Sequence, residues 1–117
     1  MKTAVDAFLP LAPATLHILL ALASENLHGY GIMQEVARQS EGRYKLGPGT
    51  LYDNVQRLVK QGLVEEVSSP AEEESSRRRY YRLSSLGRRV LSAEITRLEG
   101  VVREARLHLK APQPRGV

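Results

Sequence analysis

Residues 47–67 encode a helix and the strand that follows it, in the sequence GPGTLYDNVQRLVKQGLVEEV. Pro48 fits the first turn of a helix, where the N–H that proline lacks would have had no partner within the helix. Four apolar residues then recur at helical spacing and predict a helix over about 49–61; they are Leu51, Val55, Leu58 and Val59. Gly62 is typical of the left-handed residue that ends a helix. The stretch therefore predicts a helix with one apolar side, directly followed by a strand.

Two further helices are predicted upstream. Pro13 begins the first of them, which covers about 14–24. Its apolar side, read from helical spacing, consists of Leu16, Leu19, Leu20 and Ala23. Residues 26–29 have the composition of a turn, and the second helix follows over about 29–39. Residues 1–12 precede both helices as an N-terminal arm with an apolar side.

A β-hairpin with a basic second strand is predicted downstream. The runs 63–67 and 79–83 favour strands and flank a loop rich in serine, proline and glutamate. Six arginines and no acidic residue lie between positions 77 and 89, whereas the loop just upstream carries Glu72, Glu73 and Glu74. The formal net charge of the whole chain is only +4. The positive charge is therefore concentrated locally, as a nucleic-acid footprint would be.

A long final helix is predicted over about 85–109, with Ser84 or Ser85 as its cap. Gly87 and Gly100 are expected to weaken it by about 1 kcal/mol each relative to alanine. Its apolar residues follow a heptad pattern and form one stripe, which consists of Leu91, Ile95, Leu98, Val102, Ala105 and Leu109. A stripe of this kind predicts a homodimer. The alternative is that it packs on its own domain.

The order of these elements predicts a winged helix-turn-helix, a mainly α fold with a small β-hairpin. Residues 1–83 form the predicted DNA-binding domain with its N-terminal arm, and residues 84–110 form a C-terminal dimerisation helix. Residues 111–117, rich in proline, are expected to be a loose tail.

The third helix takes the reading role, because the second helix of a helix-turn-helix lies in the major groove of DNA. Arg57 can pair with guanine, Gln56 with adenine, and Asp53 can accept a hydrogen bond from cytosine. Thr50 and Tyr52 are expected to hold phosphates. The predicted DNA-contacting set is completed by the basic residues Lys60, Arg77, Arg78 and Arg79.

Each of these features also has a simpler explanation. A polar helix side is often only solvated, and an arginine run can be the solvated edge of a loop. Tyr30, Tyr44 and Tyr81 are expected to pack in the protein rather than to stack on bases. A winged helix that binds only protein, without affinity for DNA, is the alternative function. The arginine cluster argues against it.

Catalytic and metal-binding chemistry is poorly represented. The chain has no cysteine, which excludes a disulfide framework and a thiolate centre. His17, His28 and His108 are widely separated, and neither a His-Glu-x-x-His nor a Gly-x-Ser-x-Gly motif occurs. An enzyme, a cofactor and a metal site are therefore not expected. The apolar run 16–23 is too short to cross a bilayer, so we expect a cytoplasmic protein without a membrane segment.

Several of these motifs together resemble the PadR family of regulators. The matching segments are LHGYGIM at 27–33, GPGTLY at 47–52, Leu58, GLV at 62–64 and RYYRLS at 79–84. They lie within about residues 14–100, and the short C-terminal region is similar to the compact branch of that family.

The resemblance implies a prokaryotic repressor that dimerises through its C-terminal helix, binds a pseudo-palindromic operator and is often released by a small molecule. Two features depart from the family pattern. The loop that carries Glu72, Glu73 and Glu74 is long and acidic, and the chain has no tryptophan of the kind that lines the drug pocket in some multidrug-binding members. Both departures concern the effector and leave the expectation of DNA binding unchanged.

Overall fold

The computed structural model describes residues 3–68 and 79–110, and within them the chain forms four α-helices around a small antiparallel sheet. The helices are α1 (Pro13–Ala21), α2 (Gly29–Gln39), α3 (Pro48–Lys60) and α4 (Ser85–Lys110), and the strands are β1 (Leu27–His28), β2 (Val64–Val67) and β3 (Tyr80–Leu83). A short 3-10 helix, Asp6–Phe8, lies in the N-terminal arm. The predictions for Glu72, Glu73, Glu74, Arg77, Arg78 and the tail 111–117 fall outside the described residues.

The sheet has three strands in the order β1-β3-β2, one more than the predicted hairpin. Leu27 pairs with Tyr81 and His28 with Tyr80, so the middle of the expected turn at 26–29 is an edge strand. A two-residue strand is too short to show the alternation of apolar and polar residues by which strands are recognised. Its pairing depends on β3, more than 50 residues further along the chain, and periodicity does not reveal it.

The buried side of α1 differs from the predicted one. Ile18, Leu19 and Leu22 are buried, whereas Leu20, which the spacing assigned to the core, is 40% exposed. Nearly every residue of α1 is apolar, so helical spacing fits more than one side of it. Contacts with α2, α3 and α4 decide which side is covered.

The core lies where α1, α2, α3 and the first half of α4 meet the sheet. Its most deeply buried apolar residues are Ile18, Leu19, Ile32, Val36, Leu51, Val55, Leu58, Leu63, Val64 and Val90. In α4 the buried residues end at Glu94, and residues 101–110 are exposed throughout. A helix of 26 residues is about 39 Å long. The second half of α4 therefore projects beyond the core.

The end of α3 is formed as its sequence predicts. Gly62 has a φ of +79°, in the left-handed region that favours glycine. The N–H of Leu63 donates to the carbonyl of Leu58 at 3.0 Å, and the N–H of Gly62 donates to that of Val59 at 3.0 Å. These two bonds are those of a Schellman motif. The chain leaves α3 and enters β2 through this turn.

Ser84 and Gly87 hold the start of α4 against the end of α3. The Ser84 hydroxyl accepts a hydrogen bond from the N–H of Gly87 at 2.9 Å and donates one to the carbonyl of Gly62 at 2.6 Å, so Ser84 is the cap. A methyl group on Gly87 would overlap the carbonyl oxygen of Leu63 and lie 2.8 Å from Cδ1 of Leu83. Gly87 is thus required by packing, which corrects the expectation that it only weakens the helix.

The two glycines of α4 should therefore respond in opposite ways to alanine. Gly87→Ala should lower the free energy of unfolding by about 1 to 3 kcal/mol, because the added methyl group meets backbone that cannot move freely. Gly100→Ala, where no other element of the described chain lies within 4 Å of the new methyl group, should raise it by about 0.5 to 1 kcal/mol. Urea denaturation at one protein concentration measures both. Equal stabilisation by the two substitutions would contradict the close packing at Gly87.

Candidate nucleic-acid interface

One side of α3 is polar and exposed, and the other is buried. Leu51, Val55 and Leu58 are in the core, whereas Val59, which the spacing also assigned to the apolar side, is partly exposed. All six residues of α3 that the sequence analysis selected for DNA contact are exposed, namely Thr50, Tyr52, Asp53, Gln56, Arg57 and Lys60. The chain therefore presents a continuous polar helix surface, preceded by α2 in the manner of a helix-turn-helix.

Asn54 lies beneath this surface and not on it. Asparagine is polar, and the neighbouring Asp53 and Gln56 are exposed, but Asn54 is buried. Its amide nitrogen donates to the carbonyl of Thr50 at 2.8 Å, and its amide oxygen accepts a hydrogen bond from the Arg57 guanidinium. Because the amide nitrogen and the amide oxygen each form a hydrogen bond, burying Asn54 costs little free energy, and its oxygen can hold the charged Arg57. Asn54 thus orients Arg57 along α3.

The start of α2 packs directly against Tyr52. A Cβ atom on Gly29 would overlap the Tyr52 hydroxyl and lie 2.7 Å from its Cζ. The neighbouring Tyr30 is 61% exposed, so the expectation that it packs in the protein is wrong. Tyr81, in contrast, is buried, and Tyr44 is half-buried and stacks on His17. Tyr30 is exposed and directly follows Gly29, which packs against Tyr52, so it is a candidate DNA contact that the sequence did not predict.

His28 joins the start of α2 to the wing, which is the hairpin of β2 and β3. Its Nδ1 accepts a hydrogen bond from the N–H of Gly31 at 3.0 Å, which caps α2. Its ring packs edge-to-face with that of Tyr80 in β3, with ring centroids 5.3 Å apart. The segment LHGYG therefore contributes an edge strand, a helix cap, a close-packing glycine and an exposed tyrosine.

The described part of the wing carries arginines that face glutamates across the ladder. Arg82 lies opposite Glu65, with Nη2 and Oε1 3.0 Å apart. Arg79 is exposed and lies 3.9 Å from a Glu66 carboxylate oxygen. Exposed ion pairs of this kind contribute about 0 to 1 kcal/mol. Both guanidinium groups are therefore held loosely and remain available to another anion.

A groove of about 180 Å³ lies between α3 and the wing. It is lined by Val55, Gln56, Val59, Lys60, Glu66, Arg79 and Tyr81. Burial and the nearby Glu66 carboxylate raise the pKa of the Tyr81 hydroxyl, which is therefore protonated at neutral pH. The groove brings Gln56 and Lys60 of α3 next to Arg79, the residue that precedes β3, so these predicted contact residues share one surface.

The predicted dimer stripe divides between the core and the surface. Leu91 is 7% exposed and belongs to the hydrophobic core of its own chain. Leu98 is half-buried, and the exposed members are Ile95, Val102, Ala105 and Leu109. Leu109, at the far end of α4, is 86% exposed. The uncovered part of the stripe thus begins at Ile95.

Two kinds of feature are absent from residues 3–68 and 79–110. These residues contain no helix that is both long enough and apolar enough to span a membrane. Nor do they bring three or more histidine, aspartate or glutamate side chains together as a metal site would require.

Three packed helices followed by a β-wing define a winged helix-turn-helix, and the fold class predicted from the sequence is confirmed. The family of PadR-like transcriptional regulators matches residues 18–93, and the chain belongs to this family. The transcriptional regulator Rv3488 from Mycobacterium tuberculosis is 37% identical over 93 residues, which cover 80% of this chain and 82% of that relative. The family resemblance and the expectation that the chain is not an enzyme are thereby confirmed.

Solved structures share the fold at low sequence identity. A PadR family transcription regulator from Clostridium difficile superimposes with a TM-score of 0.68 and 23% identity, covering 84% of this chain and 99% of that one. Bacillus subtilis PadR in complex with operator DNA gives a TM-score of 0.65 and 18% identity, covering 92% of this chain and 54% of that one. These similarities concern the arrangement of the helices and the wing.

The contact between Gly29 and Tyr52 can be tested without DNA. Gly29→Ala should lower the free energy of unfolding by about 1 kcal/mol, because the tyrosine ring must move aside. In a Tyr52→Ala background the same substitution should cost nothing, since the three atoms nearest to the new methyl group all belong to Tyr52. A double-mutant cycle measured by thermal denaturation gives the coupling. Additive effects of the two substitutions would mean that the ring does not lie against Gly29.

Proposed function

We propose that this protein is a repressor that binds double-stranded DNA as a homodimer, with the exposed side of α3 in the major groove and the wing on the adjacent backbone. The observation that carries the proposal is the joint surface of α3 and the wing, where Gln56, Lys60 and Arg79 line one groove. Membership of a family of transcriptional regulators supports it, as does the likeness of the fold to a PadR in complex with operator DNA.

We assign the hydrogen bonds to base edges to Asp53, Gln56 and Arg57. Arg57 can form two parallel hydrogen bonds with guanine, Gln56 two with adenine, and Asp53 can accept one from cytosine. The bond from Asn54 supports this role for Arg57, because a guanidinium that is already oriented loses less side-chain entropy on binding. Arg57 therefore serves specificity.

Phosphate binding falls to the residues around this centre. Thr50, Tyr52 and Lys60 are exposed on α3, and Arg79 is exposed on the wing. Arg77 and Arg78 join this group by their position in the sequence next to Arg79. Such contacts fix the position of a protein on the duplex and contribute an affinity that falls with salt.

Dimerisation through α4 supplies the second reading helix. The exposed apolar residues Ile95, Val102 and Leu109 recur along α4 from the point where it leaves the core to its far end. A two-fold pair of chains buries this stripe and presents two α3 helices to a pseudo-palindromic operator, with half-sites about one helical turn of DNA apart. The resemblance to PadR regulators also supports release from DNA by a small-molecule effector.

Binding to random-sequence duplex separates this proposal from the alternative of a winged helix that binds only protein. A gel-shift titration at low salt should show a complex for the DNA-binding function and none for the alternative. The arginines of the wing favour the first outcome, because their attraction to phosphates does not depend on sequence.

Arg57 and Arg79 should contribute to DNA binding in different ways. Arg57→Ala should weaken binding to a selected operator by about 1 to 3 kcal/mol and relax the preference at one base position. Arg79→Ala should weaken binding to every duplex alike and reduce the slope of log affinity against log salt by about one. Titrations on operator and random duplexes at several salt concentrations measure both effects. The control is Arg103→Ala, an exposed arginine on α4 that lies outside both surfaces. Uniform weakening by Arg57→Ala would exclude base reading.

The stripe of α4 can be tested with a matched pair of charged variants. Val102→Glu should separate the dimer, because it places two carboxylates in a desolvated apolar contact. Thr96→Glu introduces the same charge on an exposed part of α4 away from the stripe and should leave the dimer intact. Sedimentation gives the oligomeric state, and circular dichroism reports whether the helices persist. A Val102→Glu protein that stays dimeric with full operator affinity would contradict the proposed interface.

A further inference from the structure

Glu94 is a buried carboxylate that the proposed DNA and dimer contacts do not use. Its side chain is 1% exposed, and it is the one charged residue among the buried residues of the described chain. Burying a charge is unfavourable unless it is paired and hydrogen-bonded. The contacts of Glu94 therefore indicate what it holds in place.

Three hydrogen bonds satisfy the carboxylate. Oε2 accepts one from the backbone N–H of Leu11 at 3.0 Å, in the N-terminal arm. Arg97, one turn further along α4, donates to Oε1 from Nε at 2.6 Å and to Oε2 from Nη2 at 3.0 Å. The Arg97 hydrogen bonds lower the pKa of Glu94 against the opposing effect of burial, and the Leu11 N–H lowers it further. Glu94 is thus ionised at neutral pH, and it links α4 to the N-terminal arm.

The arm that Glu94 holds is itself anchored in the core. Val5 is buried, and Phe8, Leu9 and Leu11 are half-buried against the hydrophobic cluster. The arm also contacts α4. Because the arm cannot slide without exposing these side chains, the Leu11 N–H is a fixed point for Glu94.

Glu94 lies at the position where α4 leaves the core. It is the last fully buried residue of the helix, and the next residue, Ile95, begins the uncovered part of the stripe. From there to Lys110 the helix is about 24 Å long. A tilt of about 10° at its base would move its far end by about 4 Å, which is comparable to the roughly 3.4 Å rise of one base pair. Small changes at Glu94 are therefore large enough to alter the separation of two reading helices.

We propose that Glu94 is a positioning residue that fixes the direction in which α4 leaves the winged domain, and thereby selects the separation of half-sites that the dimer accepts. The proposal rests on the dimeric DNA-binding function proposed above. Ser84 and Gly87 fix the start of α4, and apolar packing at Val90 and Leu91 holds the next turns to the core but is non-directional. The hydrogen bonds of Glu94 add the direction.

The first measurement is the preference for half-site spacing. A palindromic duplex selected from a random pool is compared with duplexes in which the half-sites lie one or two base pairs closer or further apart. Wild type should prefer one spacing by about tenfold or more, and Glu94→Ala should reduce this preference to about threefold or less. Glu94→Gln, which retains an acceptor for Leu11 but loses the charge that pairs with Arg97, should lie between them. Affinity for a random duplex should be unchanged in both variants, because neither α3 nor the wing is altered.

The second measurement reports the direction of α4 without DNA. The chain has no cysteine, so Gln34→Cys on α2 and Arg106→Cys on α4 provide two specific sites for spin labels. Labelled protein is diluted into an excess of unlabelled protein, so that the distance within one chain is measured. The distance distribution should be narrow with Glu94 and clearly broader or displaced in Glu94→Ala. Glu99→Gln, which removes an exposed charge from the same helix, is the control and should change neither measurement.

An unchanged distance distribution in Glu94→Ala, in a protein that circular dichroism shows to be folded, would overturn the positioning role. A changed distribution with an unchanged spacing preference would overturn the link to the operator. If the wild type itself shows no preference among spacings, or sediments as a monomer, the proposed dimeric function fails, and the spin-label distances still decide whether Glu94 directs α4.

Discussion

The close contact of α4 with the backbone at Leu63 fixes the positions of α3, the wing and α4 relative to one another. Leu63 is the residue through which the chain passes from α3 into β2, and Ser84 is the residue through which it passes from β3 into α4. Ser84 binds the carbonyl of Gly62 through its hydroxyl and that of Leu63 through its N–H, and Gly87 leaves room for the Leu63 oxygen. Because a single set of contacts joins α3, the wing and α4, movement at this junction would displace all three together.

Hydrogen bonds set the orientations of helices and side chains in this fold, and apolar contacts hold its elements together. The core residues of α1, α2 and α3 exclude water, but the hydrophobic effect does not specify angles. Hydrogen bonds with fixed geometry occur at the places where an angle matters. Asn54 orients Arg57 on α3, His28 fixes the start of α2, and Glu94 ties α4 to the N-terminal arm. Each of these bonds sets the orientation of a side chain or a helix, so that a small change of angle at the bond would move the far end of that group by a larger distance.

The features that the sequence predicts correctly are those decided locally. The end of α3 and the start of α4 follow from Gly62 and Ser84, whose effects act within five residues of the chain. The exposed side of α3 follows from its period, since its apolar and polar residues are separated. Local sequence patterns do not predict the features that depend on contacts with distant segments of the chain. β1 exists because β3 pairs with it, the buried side of α1 is selected by three other helices, and the burial of Glu94 depends on an arm 83 residues away. In the candidate site, Asn54 is polar but buried and Tyr30 is aromatic but exposed, so residue type alone does not predict the exposure of either residue.

The charges of the wing and of α3 are held in different ways, and the difference matches the roles proposed for them. Arg79 and Arg82 face Glu66 and Glu65 in solvent, where an ion pair contributes about 0 to 1 kcal/mol and a phosphate can replace the carboxylate at little cost. Such arginines give affinity that depends on salt and not on sequence. Arg57 is instead bound to an amide that is itself buried and hydrogen-bonded to the carbonyl of Thr50. A group held from beneath in this way meets a base edge in one orientation, and a mismatched base then leaves its donors without partners. In the proposed function, discrimination between sequences depends on the orientation that Asn54 gives to Arg57, and attraction to DNA depends on the weak ion pairs of the wing arginines.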